Sequence, residues 1–271
     1  MRVPKLSPKL TVLKLGGSVI TQKEKPFTAN LSAIRRLAKE ISNAKVTQLI
    51  VIHGGGSFGH PLAKKYSIKE GYKGGNAQLL GFSETHQAMV TLNRVVVDAL
   101  IHRNIPAVAV SPSSCIVTKS GRIATVMEEP LKKLLQTGFV PVLHGDAVLD
   151  FDRGFTILSG DQLVAYLAIQ FNAERIVMGI DVNGVFTADP KEEKTARLVR
   201  RCTLHELKKM QTRMRDTSDT DVTGGMLGKL IELAPAIEQG VPALIVNAAK
   251  PKNVYKAIRG ESVIGTLLQK T

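Results

Sequence analysis

Leu49-Ile50-Val51-Ile52 runs without interruption into His53-Gly54-Gly55-Gly56-Ser57-Phe58-Gly59-His60. Four apolar residues closed by turn formers read as a buried strand. Three successive glycines after it offer a nest of backbone N–H groups for phosphate. The same arrangement stands upstream, where the apolar run Leu10 to Leu15 stops at Gly16-Gly17. Between the two, Leu31, Ile34, Leu37, Ala38 and Ile41 fall at helical spacing and predict an amphipathic helix. Downstream, Ser83 to His102 reads as a long helix, and Ile105 to Val110 and Val140 to His144 as strands. Ala147 to Asp150 and Phe155 to Leu158 read as a hairpin across Phe151-Asp152-Arg153-Gly154. Then come a helix from Asp161 to Phe171 and a strand from Arg175 to Ile180. Thr223 to Gln239 reads as a helix that Pro235 should kink or interrupt, followed by a strand from Ala243 to Asn247. Strands alternating with helices predict an α/β fold, a three-layer αβα sandwich with a largely parallel central sheet. In such sheets ligands gather at the carboxyl ends of strands, where the glycine turns after Leu15, Ile52 and Leu158 fall.

The chain has 271 residues, 44% of them hydrophobic but only 4% aromatic and none Trp, so aliphatic side chains must build the core. No apolar run approaches the length of a membrane span. Met1 to Leu10 carries Arg2, Lys5 and Lys9, and no apolar stretch follows that could act as a signal peptide, so the cytoplasm is the expected location. Cys115 and Cys202 lie far apart and suggest packed thiols rather than a disulfide or metal knuckle. The net charge of +14 is compatible with nucleic acid, an anionic membrane surface or phosphorylated small molecules. The densest basic stretch, Lys191 to Arg201, is broken by Glu192 and Glu193, and there is no zinc-finger spacing or RNP-like aromatic motif. A basic surface around a polyphosphate site is therefore expected, with neither a nucleic-acid nor a membrane partner.

Five motifs carry candidate chemistry. In Lys14-Leu15-Gly16-Gly17-Ser18 two glycines let amides approach an anion, and the lysine puts a cation beside the same place; a plain strand-to-helix turn has the same look. Gly54, Gly56 and Gly59 satisfy the dinucleotide fingerprint literally, but no strand ending in an acid follows. Ser159-Gly160-Asp161 opens a helix, where Asp161 either caps it or orients a lysine. Gly179-Ile180-Asp181-Val182-Asn183-Gly184 can bond a ribose or adenine edge, or make an Asx turn. Asp221-Val222-Thr223-Gly224-Gly225-Met226-Leu227-Gly228-Lys229 sets glycines at a helix start with a lysine one turn in, which suits a polyphosphate; it fails the Walker A pattern.

In this order the five motifs together resemble the amino acid kinase superfamily, and within it most nearly the isopentenyl phosphate kinases, from about Val12 to the C-terminus. His60, followed by Pro61, closes the second motif as it does in that group; fosfomycin-phosphorylating relatives share it. The resemblance implies ATP-dependent phosphorylation of isopentenyl phosphate to isopentenyl diphosphate, in isoprenoid biosynthesis by an alternative mevalonate route, with a fosfomycin-type or other small-acid kinase as the runner-up. It implies the amino acid kinase fold over residues 1–271, with an acceptor-phosphate lobe over about 1–171 and an ATP lobe over about 172–271. It further implies ATP and Mg²⁺ as cofactors and a homodimer. Of the residues, Lys14 would stabilise the transferring phosphoryl group, while Gly16, Gly17 and Ser18 hold ATP phosphates. Gly54, Gly55 and Gly56 would lie between donor and acceptor. His60 would grip the acceptor phosphate with Gly59 beside it, and Gly160 would help. Asp161 would orient Lys14; Asp181 and its neighbour Gly184 would line the nucleotide site; Gly225 and Lys229 would contact the β- and γ-phosphates.

The motifs offer no obvious general base. That agrees with a phosphate acceptor, whose second pKa near 6 leaves it mostly dianionic at neutral pH. An isoprenoid tail needs an apolar pocket near His60. Phe82, His86, Met89 and Val90 on the long helix and Val148 and Ile157 on the hairpin are the candidates, or else plain core residues.

Overall fold

The computed structural model describes residues 9–188, 193, 195–209 and 224–271. Asp221, Val222 and Thr223 of the fifth motif, part of the Lys191 to Arg201 stretch and the first eight residues lie outside the described residues.

In chain order the elements are β1 (Thr11–Leu15), α1 (Gly17–Ile20), α2 (Leu31–Ala44), β2 (Leu49–His53), α3 (Gly56–Lys65), α4 (Asn76–Ile101) and β3 (Ala107–Ala109). Next come β4 (Ile116–Lys119), β5 (Arg122–Val126), α5 (Glu128–Thr137), β6 (Val140–His144), β7 (Asp146–Asp150), β8 (Gly154–Leu158) and α6 (Gly160–Gln170). The rest are β9 (Arg175–Ile180), β10 (Arg201–Thr203), α7 (Gly224–Glu238), β11 (Ala243–Asn247), α8 (Asn253–Arg259) and β12 (Gly265–Gln269).

Among the described residues, eight strands form one sheet in the order β10-β12-β11-β9-β1-β2-β6-β3, and four form a smaller one, β5-β4-β7-β8. Of these eight, β11 and β12 pair antiparallel and the other neighbours pair parallel. Every residue of β1 and β2 is buried, as a strand covered on both faces requires. Alternate side chains serve opposite layers. Val12, Ile50, Ile52 and Met178 pack with α5, α6 and α7 through Leu131, Leu163 and Leu233. Leu13, Val51 and Val177 pack with α2, α4 and α8 through Leu37, Leu92 and Ala257. The expected αβα sandwich is therefore present, and strands beyond residue 172 occupy one half of the large sheet.

The differences from expectation have local causes. Helix α4 begins at Asn76, ahead of Ser83, and β3 is only three residues long. The β4–β5 hairpin was not anticipated, because β5 has no buried residue and so shows no clean apolar alternation. Pro235 does not interrupt α7; Ile231, whose carbonyl loses its helical partner, lies on an exposed face. Pro61 sits inside α3, and the Ser57 carbonyl it deprives of a partner accepts instead from the Phe27 N–H at 3.1 Å.

Candidate active site

The glycine turns meet as bare backbone. The Gly16 N–H donates to the Gly179 carbonyl at 2.7 Å, and the Gly54 N–H to the Leu15 carbonyl at 3.0 Å. A Cβ on Gly17 would stand 2.3 Å from the Gly56 nitrogen, and one on Gly54 would stand 2.8 Å from the Gly17 nitrogen. Gly56 has φ +48°, and a side chain there would also meet the Thr21 hydroxyl. That hydroxyl donates to the Gly17 carbonyl at 2.8 Å and accepts from the Ser57 N–H at 3.0 Å, which ties α1 to α3. The first and second motifs are thus one object, with no room for a side chain between them.

Charge converges from three elements onto this floor. Lys14, in the fully buried β1, donates to Asp161 Oδ1 at 2.5 Å, and Lys229, from α7, reaches Asp161 Oδ2 at 3.4 Å. The cap of α6 is Ser159, whose side chain accepts from the Gln162 N–H at 3.1 Å, so the Asp161 carboxylate is free to serve the lysines. Burial lowers the Lys14 pKa and Lys229 adds to this, with Asp161 opposing both. Burial by itself would raise the Asp161 carboxyl, but the two ammonium groups outweigh it and hold the group below the usual carboxylate range. Two cations on one carboxylate leave a net positive charge facing the cavity.

That cavity has a volume of about 510 Å³. Lys14, Gly16, Gly17 and Ser18 line it from β1, and Gly54, Gly55, Gly56, Gly59 and His60 from the second turn and α3. Gly160, Asp161, Asp181 and Lys229 complete that end. The cleft walls, and then the ammonium groups of Lys229 and Lys14, hold the His60 imidazole below its ordinary pKa against the pull of Asp161, so it is neutral at pH 7. At the mouth, Lys23 donates to Asp181 at 2.9 Å; burial would raise that carboxyl, and Lys23 outweighs it.

The other end is apolar, with Ala63, Met89, Ile157 and Leu158 in the wall beside Thr85. Met89 packs tightly: its sulfur is 3.1 Å from where a Gly55 Cβ would be and 2.8 Å from that of Gly59.

Not every candidate reaches the cavity. Val148 is fully buried in the core. In the hairpin register it opposes Thr156, whereas Ile157 opposes Ala147, so Val148 and Ile157 point to opposite faces. Phe82 packs on Phe155 with ring centroids 5.3 Å apart, in a separate small cluster. His86 stands behind the wall on Asp146, and Val90 is exposed. Gly184 lies against Thr266, whose hydroxyl would be 2.5 Å from its Cβ, and Gly225 is exposed in the first turn of α7 outside the lining.

Lining residues that were not anticipated include Lys23, Ala63, Thr85, Gly145 and Asp146. A signal for two of them was present. Gly145-Asp146 follows β6 as Gly160-Asp161 follows β8, and a Cβ on Gly145 would lie 3.2 Å from the Gly160 nitrogen. Lys23 sits in the polar run Gln22-Lys23-Glu24-Lys25, which reads as solvated turn.

Comparison with known proteins fits this geometry. The amino acid kinase family matches residues 9–247. The chain is 41% identical to isopentenyl phosphate kinase of Methanothermobacter thermautotrophicus, over 95% of this chain and 98% of that one. It is 37% identical to isopentenyl phosphate kinase of Methanocaldococcus jannaschii, over 93% and 96%. A solved isopentenyl phosphate kinase superposes with a TM-score of 0.84 at 38% identity, over 95% of this chain and 99% of that one.

Proposed function

The chain belongs to the amino acid kinase family and, within it, to the isopentenyl phosphate kinases, and from that premise we propose that it transfers the γ-phosphoryl group of ATP to isopentenyl phosphate. The observation that carries this is the buried Lys14–Asp161–Lys229 triad set in a glycine-walled cavity whose far end turns apolar. Phosphoryl transfer needs alignment and charge neutralisation more than covalent help. The Gly16 N–H is held by Gly179, so the amides of Gly17 and Gly56 in the cavity wall are the ones that suit the ATP phosphates, and Ser18, Asp181 and Lys23 line the side where the nucleoside enters. Mg²⁺ bound to the phosphates would supply the remaining neutralisation.

A phosphate oxygen of the acceptor attacks the γ-phosphorus in line, the bond to the β-phosphate oxygen breaks, and ADP leaves with that electron pair. Negative charge building on the phosphoryl oxygens meets Lys14 and Lys229, which Asp161 keeps together although like charges repel. The neutral His60 donates a hydrogen bond to the acceptor phosphate. No protein base is required, because the acceptor is already dianionic. The half of the sheet before residue 172 carries the acceptor end together with the glycine turns that suit the ATP phosphates, and the half after it serves the nucleotide through Asp181 and Lys229. The same reading has the enzyme act in the cytoplasm as a homodimer, on an alternative mevalonate route.

The test is a coupled ADP-release assay against isopentenyl phosphate, dimethylallyl phosphate, fosfomycin, N-acetylglutamate and UMP. Isopentenyl phosphate is expected to give the highest kcat/KM; a higher value for fosfomycin or another small acid would move the chain to the runner-up reading. His60→Ala should lose far more activity than His60→Asn or His60→Gln, and unchanged turnover in His60→Ala would remove that residue's role.

A further inference from the structure

Asp146 is anomalous where it stands. It is a carboxylate with 1% of its surface exposed, in the wall of a cavity end that it shares with Ala63, Thr85, Met89, Ile157 and Leu158. A buried carboxylate is costly unless paired and hydrogen-bonded, and this one is both. His86 Nδ1 lies 3.1 Å from each of its oxygens. Oδ1 also accepts from the Ala147 N–H at 2.9 Å, and Oδ2 from the Ser113 N–H at 3.2 Å and the Ser111 hydroxyl at 3.4 Å. The hydrogen bond to Asp146, more than the opposing burial, raises the His86 pKa.

The pair joins two walls. His86 lies on α4, one residue after Thr85 and three before Met89, both of which line the cavity. Asp146 opens β7 directly opposite Leu158, with Ala147 opposite Ile157, and Leu158 leads into Gly160 and Asp161. Met89 in turn packs on the Gly55–Gly59 turn that carries His60. We propose that Asp146 and His86 are positioning residues for the acceptor: their bond ties helix α4 to strand β7 and fixes the gap between Met89 and Ile157 that receives the tail. A directional hydrogen bond sets that spacing, where an apolar contact would let the helix slide. The inference rests on the reading that this end takes the acceptor.

The experiment measures steady-state kinetics with ATP and isopentenyl phosphate varied separately, for wild type, His86→Leu, His86→Asn and Asp146→Asn. His86→Leu leaves a buried carboxylate without its main side-chain donor, and acceptor KM is expected to rise about tenfold, with kcat and the ATP KM within about twofold. His86→Asn puts an amide N–H where Nδ1 stands and should recover most of the lost affinity. Asp146→Asn turns an amide toward donors and should shift acceptor KM in the same direction as His86→Leu. A folded His86→Leu with wild-type acceptor KM, or equal rises in both KM values, would overturn the clamp. Should His86→Leu fail to fold, Asp146→Asn decides in the same way. If wild type ignores isopentenyl phosphate, the functional reading falls instead, and the clamp is judged on whichever acceptor in the panel is turned over.

Discussion

The two ends of the cavity are made of different materials. Around Lys14 the wall is backbone: Gly16, Gly17, Gly54 and Gly56 touch main chain to main chain, and a single methyl group has nowhere to go. Around Met89 the wall is side chains from α3, α4 and β8, whose shape is a matter of volume. On the proposed reading, the first kind of wall serves a phosphate chain that is the same for every kinase using ATP. The second can be resized without dismantling the fold. A site divided in this way can keep its chemistry while its acceptor changes.

Lys14→Met is the sharpest way to break the comparison. It removes charge aimed at the transferring group, and a fall of roughly 1,000-fold in kcat/KM is expected. Melting temperature should hold or rise, because a buried ammonium is lost while Asp161 retains Lys229. A variant that kept its activity would exclude Lys14 from the chemistry. Gly17→Ala comes next. Its Cβ would stand 2.3 Å from backbone nitrogen, so stability should drop by about 3 kcal/mol. Displacing the phosphate-facing amides should cost roughly 100-fold in kcat. Normal unfolding by urea would show that the two turns are not rigidly packed.

Met89→Ala probes the other wall. The side chain is 2% exposed, and its loss should destabilise by about 2–3 kcal/mol. Yet kcat/KM for the short acceptor should stay within about tenfold while longer prenyl phosphates become substrates. An unchanged chain-length preference would count against the pocket.

The last effect concerns pH. Burial, then the neighbouring His144, depresses the His53 imidazole to about 3. An unfolded His53 takes a proton near 6.5, so between those values the unfolded chain binds more protons and stability falls as pH is lowered. His144, lowered chiefly by burial, acts in the same sense. His86 acts oppositely: its pKa is raised, so the stability it adds is present below 6.5 and is lost as pH rises through its folded value. Unfolding free energies from urea titrations between pH 7 and 4 should decline by at most about 1.4 kcal/mol per unit for each imidazole. His53→Gln should flatten the slope, and an identical slope would assign it elsewhere.

Much of the glycine-walled end of the cavity was legible in the chain because its devices are local. A buried strand, adjacent glycines and a lysine two residues earlier announce a phosphate turn from a few consecutive residues. The same holds for Ser159-Gly160-Asp161, although its strand, β8, belongs to the small sheet rather than the large one. The apolar end was read less well. Val148 and Phe82 are apolar and close to the right positions in sequence, but hairpin register turns one into the core and ring packing holds the other in a side cluster. Asp146 stood unread in His144-Gly145-Asp146 because an acid beside glycine is what any turn contains.

From sequence alone came the alternation of strand and helix, the glycine turns at strand ends, and the cation that precedes the first of them. Those follow from period, from the absence of a Cβ, and from charge, all properties of residues a few positions apart. The expected Asp161–Lys14 contact is present, but only the folded chain decided that Lys229 would join it, that Gly17 would lie on Gly56, and that His86 would stand behind the wall instead of in it. The physical reason is that a contact between distant segments depends on sheet order and strand register, and a shift of one residue in register turns a cavity-facing side chain into a buried one.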